Sequence, residues 1–245
     1  MDRRDEIIAE LREAVRARDD FLAIAAHELR NPLTPILLCL RLIRDYEESG
    51  DSARAASELA RLERLVEHFS ARVTTLLEVA QITSKRFRAN VSVFNLSDLM
   101  NDLIDEYRPS VLRSGSELNA NIQAGVVVHL DQLAVSEIVE NLLSNAMKYG
   151  DRKPIEIGLA SENGWARITV EDHGLGIANE DRERIFERFE RVIGGHTSSG
   201  FGIGLWLTRN LAESMGGNIS VVGKQGAGSR FTVMLPIQNP GRVNG

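Results

Sequence analysis

The stretch Glu140-Asn141-Leu142-Leu143-Ser144-Asn145-Ala146-Met147-Lys148-Tyr149 predicts an amphipathic helix. Its leucines and its alanine fall on one side, while Asn141 and Asn145, four residues apart, stack on another. Lys148 follows on nearly the same polar face. Carboxamide oxygens are hard ligands of the kind that Mg²⁺ accepts, and an ammonium group can meet a phosphate chain. A polar face that is only solvated would show the same pattern. Whether this face binds a ligand therefore depends on the segments that follow along the chain.

Two glycine-rich segments downstream are candidates for the same ligand. The first is Asp172-His173-Gly174-Leu175-Gly176-Ile177, directly after a predicted strand. Its glycines allow a tight turn that brings backbone close to a ligand, and Asp172 could accept a hydrogen bond from an exocyclic amine. An ordinary turn is the alternative. The second segment is Ser198-Ser199-Gly200-Phe201-Gly202-Ile203-Gly204-Leu205, which leads into a predicted helix. Backbone amides at a helix start form a phosphate-binding end.

A fourth segment, Ile185-Phe186-Glu187-Arg188-Phe189, lies between the two glycine-rich ones. It predicts a short helix that bears aromatic residues. The polar, glycine-rich residues 194–199 follow it and are typical of a mobile lid. Arg188 and Arg191 could reach phosphates from this region, although an arginine on a loop is often only solvated.

These four segments resemble the asparagine box, the two glycine boxes and the phenylalanine box of the histidine-kinase ATPase domain. That Bergerat-type fold also occurs in gyrase-type and chaperone ATPases and in DNA mismatch-repair proteins. The resemblance implies that ATP and Mg²⁺ are bound, with Asn145 as the Mg²⁺ ligand and Asn141 supporting it. It also implies that Lys148 contacts phosphate and that Asp172 accepts a hydrogen bond from the adenine amine. The further nucleotide contacts that it implies are Tyr149, Gly174, Gly176, Ile177, Arg188, Phe189, Gly200, Gly202, Gly204 and Leu205.

One position favours a kinase over a hydrolase. In the hydrolytic relatives, a glutamate four residues before the metal-binding asparagine activates water. Asn141 occupies that position here, and an amide has no useful basicity. Glu140 is adjacent but about 100° around the helix, so we do not expect it to substitute. An ATP hydrolase of the same fold and a dimeric pseudokinase scaffold remain the alternatives.

The first half of the chain has a different periodicity. Apolar residues recur with alternating steps of three and four from Ile8 to Ile43, interrupted by Arg18, and again from Leu59 to Ala80. Heptads of this length predict two long helices, joined by the polar turn 47–52. Two such hairpins packed as a four-helix bundle would cover their apolar seams, so we predict a homodimer. A hairpin docked on the second domain is the alternative.

The candidate nucleophile is His27, in the segment His27-Glu28-Leu29-Arg30-Asn31-Pro32-Leu33. It lies one step off the apolar seam, toward solvent. Its imidazole is largely unprotonated near neutral pH, since its ordinary pKa is about 6.5. Glu28 can hold or accept the proton on the other ring nitrogen. Pro32 and Pro35 remove backbone donors and loosen the helix at this point.

This segment resembles the phosphoacceptor box of the dimerisation and phosphotransfer domain of the same kinases. The resemblance implies that ATP phosphorylates His27 and that the phosphoryl group passes to an aspartate on a response-regulator receiver domain. Asn31 would position a water for a phosphatase reaction on that partner. Phe201 and Trp206 depart from the family pattern, which usually has smaller aliphatic residues there.

The predicted fold class is α+β, with a long helical hairpin before an α/β sandwich that has a mostly antiparallel sheet. The predicted domains are a coiled-coil signalling helix, the phosphotransfer hairpin, the ATP-binding domain and a tail, at residues 1–20, 21–86, 87–238 and 239–245. In the ATP-binding domain the patterns predict strands at 91–94, 155–159, 166–170, 219–222 and 231–235, a hairpin from 116–122 and 126–129, and helices at 96–112, 133–149 and 201–215. The first of these helices would be capped near Asn95 or Ser97.

Charge and composition exclude some classes of protein. A net charge of −6 argues against general nucleic-acid binding, which needs clustered basic residues. Cys39 is the single cysteine, so no internal disulfide can form, and we expect it to be a small core residue. No apolar run approaches the ~20 residues that span a bilayer. We therefore expect a cytoplasmic chain without membrane contact, whose residues 1–20 continue upstream into a sensor domain.

Overall fold

Two units make up the chain, Met1–Arg86 and Phe87–Gly245. The computed structural model describes residues 29, 32–83, 90–188, 190 and 202–238. The described part of the first unit is helical, and that of the second combines strands with helices. Within the described residues, we find no helix with both the length and the apolar character needed to cross a bilayer.

The first unit contains the predicted helical hairpin. Helix α1 covers residues 32–48 and helix α2 covers Ser52–Thr83. Gly50 ends α1 with a left-handed φ of 77°, and the Asp51 carboxylate accepts a hydrogen bond from the Arg54 backbone N–H at 3.2 Å. These two residues confirm the predicted turn, because one serves as a C-terminal glycine and the other as a helix N-cap. Cys39 is 1% exposed and its thiol contacts the Glu58 carboxylate of α2 at 3.4 Å, which confirms it as a core residue.

The second unit has seven strands and three α-helices among its described residues. In chain order they are β1 (Val91–Asn95), α3 (Leu96–Ser114), β2 (Leu118–Ile122), β3 (Val127–Asp131), α4 (Gln132–Tyr149), β4 (Ile155–Glu162), β5 (Trp165–Asp172), α5 (Gly204–Ser214), β6 (Asn218–Gly223) and β7 (Ser229–Pro236). Two short 3-10 helices, Asn179–Asp181 and Arg184–Phe186, lie between β5 and α5.

The main sheet has the strand order β2-β4-β5-β7-β6, and only the β2–β4 pair is parallel. Along β5 the alternate residues Ala166, Ile168 and Val170 are buried, while the residues between them are partly exposed. Helix α4 contacts β5 and helix α5 contacts β6 and β7, and both helices carry buried side chains such as Leu142 and Leu207. The predicted α/β sandwich with a mostly antiparallel sheet is therefore confirmed.

Side-chain caps fix where two helices begin. The Asn95 side chain accepts from the Ser97 N–H at 3.0 Å, which makes Asn95 the cap of α3. Asp131 accepts from the Ala134 N–H at 3.2 Å and caps α4. These bonds satisfy amides that have no partner within the first turn of a helix. Ser97, the other predicted cap, has a different partner.

The predicted hairpin of residues 116–122 and 126–129 is wrong. Strand β2 pairs in parallel with β4, and β3 pairs antiparallel with β1 in a separate two-stranded sheet. The Ser97 hydroxyl donates to the Gln123 carbonyl at 2.7 Å and accepts from the Val126 N–H at 3.0 Å. Helix α3 thus binds the backbone of the loop between β2 and β3. Strand β2 pairs with β4 and strand β3 pairs with β1, so the two strands do not pair with each other.

Candidate functional site

Helix α4 presents the predicted polar face. Asn141 and Asn145 are half-buried, and Lys148 is exposed with its Nζ 5.0 Å from the Tyr149 ring centroid. On the opposite side the leucines are completely buried. Because the apolar side is anchored in the core, the helix cannot rotate, and the polar side is held in one orientation.

The second glycine-rich segment meets α4 at Asn141. Helix α5 begins at Gly204, not at Phe201 as the pattern predicted, since Gly202 has a φ of 66° and Ile203 is the N-cap residue. A Cβ on Gly204 would lie 2.9 Å from the Asn141 Oδ1. Ile203 makes no side-chain cap to the helix amides. The positive end of α5 therefore lies beside a carboxamide oxygen, an arrangement that suits a phosphate chain with a metal ion.

The first glycine-rich segment meets the other end of α4. A Cβ on Gly174 would lie 1.8 Å from the Tyr149 carbonyl oxygen, which also accepts from the Leu175 N–H at 3.1 Å. The glycine is required because the two backbones touch. The sequence predicted that this glycine brings backbone close to a ligand, and in the structure the backbone that it approaches is the end of α4.

Sequence reasoning missed a third wall of this region, the turn between β6 and β7. Gly176 has a φ of 65°, and a Cβ on it would lie 2.0 Å from the Lys224 carbonyl oxygen. A Cβ on Gly228 would likewise lie 2.0 Å from the Asp172 carbonyl oxygen. The sequence feature that could have predicted this turn is the pair of glycines, Gly226 and Gly228, between two predicted strands.

Asp172 ends β5 and is 5% exposed. Its carboxylate accepts from the Gly174 N–H at 2.9 Å. Burial raises the pKa of Asp172 above its usual range, while backbone hydrogen bonds from Gly174 and Ser229 oppose the shift. A buried acceptor at this position is suited to a donor group on a bound base.

The phenylalanine segment packs on α5. The Arg188 guanidinium stacks over the Trp206 ring at 4.3 Å, and Arg209 stacks over Phe186 at 4.4 Å. Phe186 also meets Phe231 edge to face, with 6.5 Å between ring centroids. The structure therefore places Arg188 on Trp206, one of the residues that depart from the family pattern. Burial lowers the pKa of Arg188.

The acidic residues of α4 have other partners. Glu140 accepts from the Tyr107 hydroxyl of α3 at 3.2 Å, and Asn141 donates its Nδ2 to Glu137 at 3.2 Å. Burial and the nearby Glu140 carboxylate raise the pKa of Glu137, while the Asn141 amide opposes the shift. Burial and Glu140 also raise the pKa of Tyr107. Glu140 and Asn141 thus contact different neighbours, as their 100° separation predicts.

The residues brought together fit an adenine nucleotide with Mg²⁺. From Asn141 to Tyr149, α4 spans about 12 Å, with the start of α5 at one end and Asp172 near the other. The groups at the α5 end are the neutral amide oxygen of Asn141 and the backbone amides of the helix start, which suit Mg²⁺ and phosphate respectively. A Cβ on Gly204 would fill the space in front of the Asn141 oxygen. Ile177 is buried in the wall that Gly176 forms, and Leu205 is half-buried on α5.

Some predicted site residues lie outside the described residues. They are His27, Glu28 and Asn31 in the first unit, and Phe189 and Gly200 in the second.

Two family models match the chain. The model described as "Histidine kinase-, DNA gyrase B-, and HSP90-like ATPase" matches residues 130–239. The model described as "His Kinase A (phospho-acceptor) domain" matches residues 17–85. The first covers the segments that meet along α4, and the second covers the segment around His27.

Curated relatives match along nearly the whole chain. The autoinducer 2 sensor kinase/phosphatase LuxQ of Vibrio cholerae is 31% identical over 94% of this chain and 27% of its own length. The sensor histidine kinase RppB of Synechocystis is 31% identical over 92% of this chain and 50% of its own length. The chain thus spans from about a quarter to half of the length of these relatives.

Solved structures share the fold. The histidine kinase ThkA in complex with the response regulator protein TrrA has a TM-score of 0.71 at 20% identity, covering 98% of this chain and 67% of that one. The histidine kinase AdeS of Acinetobacter baumannii has a TM-score of 0.68 at 20% identity, covering 86% of this chain and 98% of that one. Because a region that matches the phospho-acceptor family and a region that matches the kinase-type ATPase family follow each other along this chain, and its curated relatives are sensor kinases, the chain belongs to the sensor histidine kinases of two-component systems.

Proposed function

We propose that this chain is the catalytic part of an ATP-dependent histidine kinase, which phosphorylates its own His27 and passes the phosphoryl group to an aspartate of a response regulator. The observation that carries the proposal is the meeting of Asn141 with the start of α5, where Gly204 leaves space in front of a carboxamide oxygen. The functional domains would be 21–86 for dimerisation and phosphotransfer and 87–238 for ATP binding. Residues 1–20 would connect to an upstream sensor domain.

We assign the following roles to the nucleotide-binding residues, and the geometry of the site supports them. Asp172 would accept a hydrogen bond from the adenine amine, and the amides at Gly202 and Gly204 would bind phosphate oxygens. The oxygens of Asn145 and Asn141 would hold Mg²⁺, which when bound neutralises negative charge on the phosphate chain. Lys148 would contact phosphate from the same face of α4. Arg188 would leave its stacked position on Trp206 if it contacts phosphate.

The chemical step would belong to the phosphoacceptor segment. A ring nitrogen of His27 attacks the γ-phosphorus, the N–P bond forms, and the bond to the β-phosphate oxygen breaks to release ADP. Glu28 takes the proton from the other ring nitrogen. A carboxylate oxygen of the regulator then attacks the same phosphorus and the N–P bond breaks. ThkA, whose solved complex contains the response regulator TrrA, is a structural neighbour in keeping with such a partner.

Hydrolysis of ATP by this site is the less favoured function. The position of the hydrolytic glutamate holds Asn141, and the adjacent Glu140 is bonded to Tyr107. A phosphatase reaction on the phosphorylated regulator is a second candidate, with Asn31 positioning the water. The relative LuxQ is described as a sensor kinase/phosphatase, which favours this candidate.

A homodimer through α1 and α2 is part of the proposal. Leu33, Leu37 and Leu40 of α1 and Leu59 and Val66 of α2 are each more than 40% exposed in the single chain. A second hairpin would cover these residues in a four-helix bundle. We place the kinase in the cytoplasm, where ATP is supplied.

Incubation of the purified chain with γ-labelled ATP and MgCl₂ tests the proposed function. We expect label on the protein that is lost in acid and retained in alkali, as a phosphohistidine requires. Steady release of inorganic phosphate without labelled protein would support the hydrolase instead. Binding of ATP without either outcome would support the pseudokinase.

Gly204→Ala should weaken nucleotide binding without unfolding the protein. The displacement of one flexible side chain costs little, and alanine is a better helix former than glycine. The new Cβ would push away the Asn141 oxygen, so the affinity for Mg²⁺-ADP should fall about tenfold. Calorimetry and thermal unfolding measure both effects. Gly158→Ala on β4, where a Cβ would lie 2.6 Å from the Thr169 Oγ1 and 3.7 Å from the Asn121 carbonyl oxygen, is the matched control and should bind normally. Equal affinities in both variants would contradict the assignment.

Asp172→Asn should stabilise the fold while weakening binding. The pKa of Asp172 is raised in the folded protein, so its ionisation at neutral pH opposes folding, and a neutral amide removes that cost. The adenine amine would lose a charged acceptor, at about tenfold in affinity. As the pH falls through the raised pKa, wild-type ADP affinity should decrease relative to that of the variant. Parallel pH profiles over the whole acidic range in which both proteins stay folded would count against Asp172 as the residue that binds the adenine amine.

A further inference from the structure

We infer that Glu137 is a positioning residue, which orients the Asn141 carboxamide so that its oxygen faces the start of α5. Glu137 lies on α4, four residues before Asn141, and is half-buried. Its Oε1 accepts a hydrogen bond from the Asn141 Nδ2 at 3.2 Å. The inference rests on the proposed function, since the oriented oxygen would serve Mg²⁺ or its bound water.

The chemistry of the pair determines the orientation. A carboxylate can only accept hydrogen bonds, whereas a carboxamide donates through nitrogen and accepts through oxygen. The nitrogen of Asn141 therefore has to face Glu137, and its oxygen has to face the opposite way. A glutamate at residue 137 selects one of the two possible orientations of the amide.

The oxygen so directed faces the phosphate-binding end of α5. It lies 2.9 Å from the position that a Cβ on Gly204 would take. In the opposite orientation the amide NH₂ group would face this space. That group can only donate hydrogen bonds, so it cannot ligate a cation.

Glu140 provides a matched control on the same helix. It carries the same charge three residues away, but its carboxylate accepts from the Tyr107 hydroxyl at 3.2 Å. A simple electrostatic effect of negative charge near a cation would be similar at both positions. An effect through the Asn141 amide would be confined to Glu137.

The test measures ADP affinity with MgCl₂ and with EDTA, and the ratio of the two gives the gain in affinity due to the metal ion. Glu137→Ala, which frees the amide to turn, should reduce this gain about fivefold. Glu137→Lys, which can only donate, favours the opposite orientation and should reduce it more than about tenfold. Glu137→Gln can still offer an oxygen and should stay within about threefold of wild type. Glu140→Ala should leave the gain unchanged.

Affinity in EDTA separates positioning from folding, because it reports an intact nucleotide site without the metal ion. The inference is supported if this affinity is the same in all variants while the metal-dependent gain falls in the order given. It is overturned if Glu137→Ala and Glu137→Lys keep the gain, if Glu140→Ala loses as much, or if EDTA affinity falls in parallel. A wild-type protein that binds no ADP at all would instead overturn the proposed function, and the inference with it.

Discussion

His27→Gln should accept no phosphate that is lost in acid, while its affinity for Mg²⁺-ADP stays within about twofold of wild type. Glutamine keeps a polar side chain of similar length but has no nucleophilic nitrogen, since the lone pair of its amide is delocalised. Labelling with γ-labelled ATP and calorimetry with ADP measure the two quantities. Loss of the first without the second separates the phosphoacceptor from the nucleotide site.

His129→Gln is the control for this experiment. His129 is exposed on β3, and it lies in the unit that does not contain His27. Its replacement should leave labelling unchanged. If His27→Gln keeps its acid-labile label while another histidine variant loses it, His27 is not the phosphoacceptor.

Asn145→Ala should abolish the metal-dependent part of nucleotide binding and lower the rate of autophosphorylation by about 100-fold or more. Asn145 lies one turn beyond Asn141 on the polar face of α4, and alanine removes its oxygen without disturbing the buried face. Autophosphorylation should fall because charge on the phosphate chain is no longer neutralised. The thermal stabilisation by Mg²⁺-ADP, measured by differential scanning fluorimetry, should disappear with it.

Two further variants sharpen this test. Ser144→Ala removes a polar group from an exposed position on the same helix and should retain both properties. Asn145→Asp keeps a hard oxygen ligand and should recover metal-dependent binding in part. A thermal shift in Asn145→Ala equal to that of Ser144→Ala would remove Asn145 from the metal site.

Local patterns predicted the elements around the site well. The four-residue spacing of Asn141 and Asn145 predicted the polar face of α4, and apolar alternation predicted the strands β4 and β5, which the structure pairs antiparallel. These predictions succeed because helix and strand periodicities depend on near neighbours in the sequence. The predicted pairing of residues 116–122 with 126–129 was wrong. The Ser97 hydroxyl, which lies outside these segments, binds the loop between them.

The amino-acid order alone is enough to predict the periodicities of the two halves and the residue types needed for a nucleotide and a phosphoacceptor. Which of these residues meet became clear only from the folded chain: Gly204 meets Asn141, Gly174 meets the Tyr149 carbonyl, and the β6–β7 turn meets Gly176. The hydrogen bond between Glu137 and Asn141 lies within one helix, but its effect on the site depends on the position of α5. The physical reason is that spacing within one helix fixes only the directions of its side chains. Contacts between segments distant in sequence depend on how the core packs.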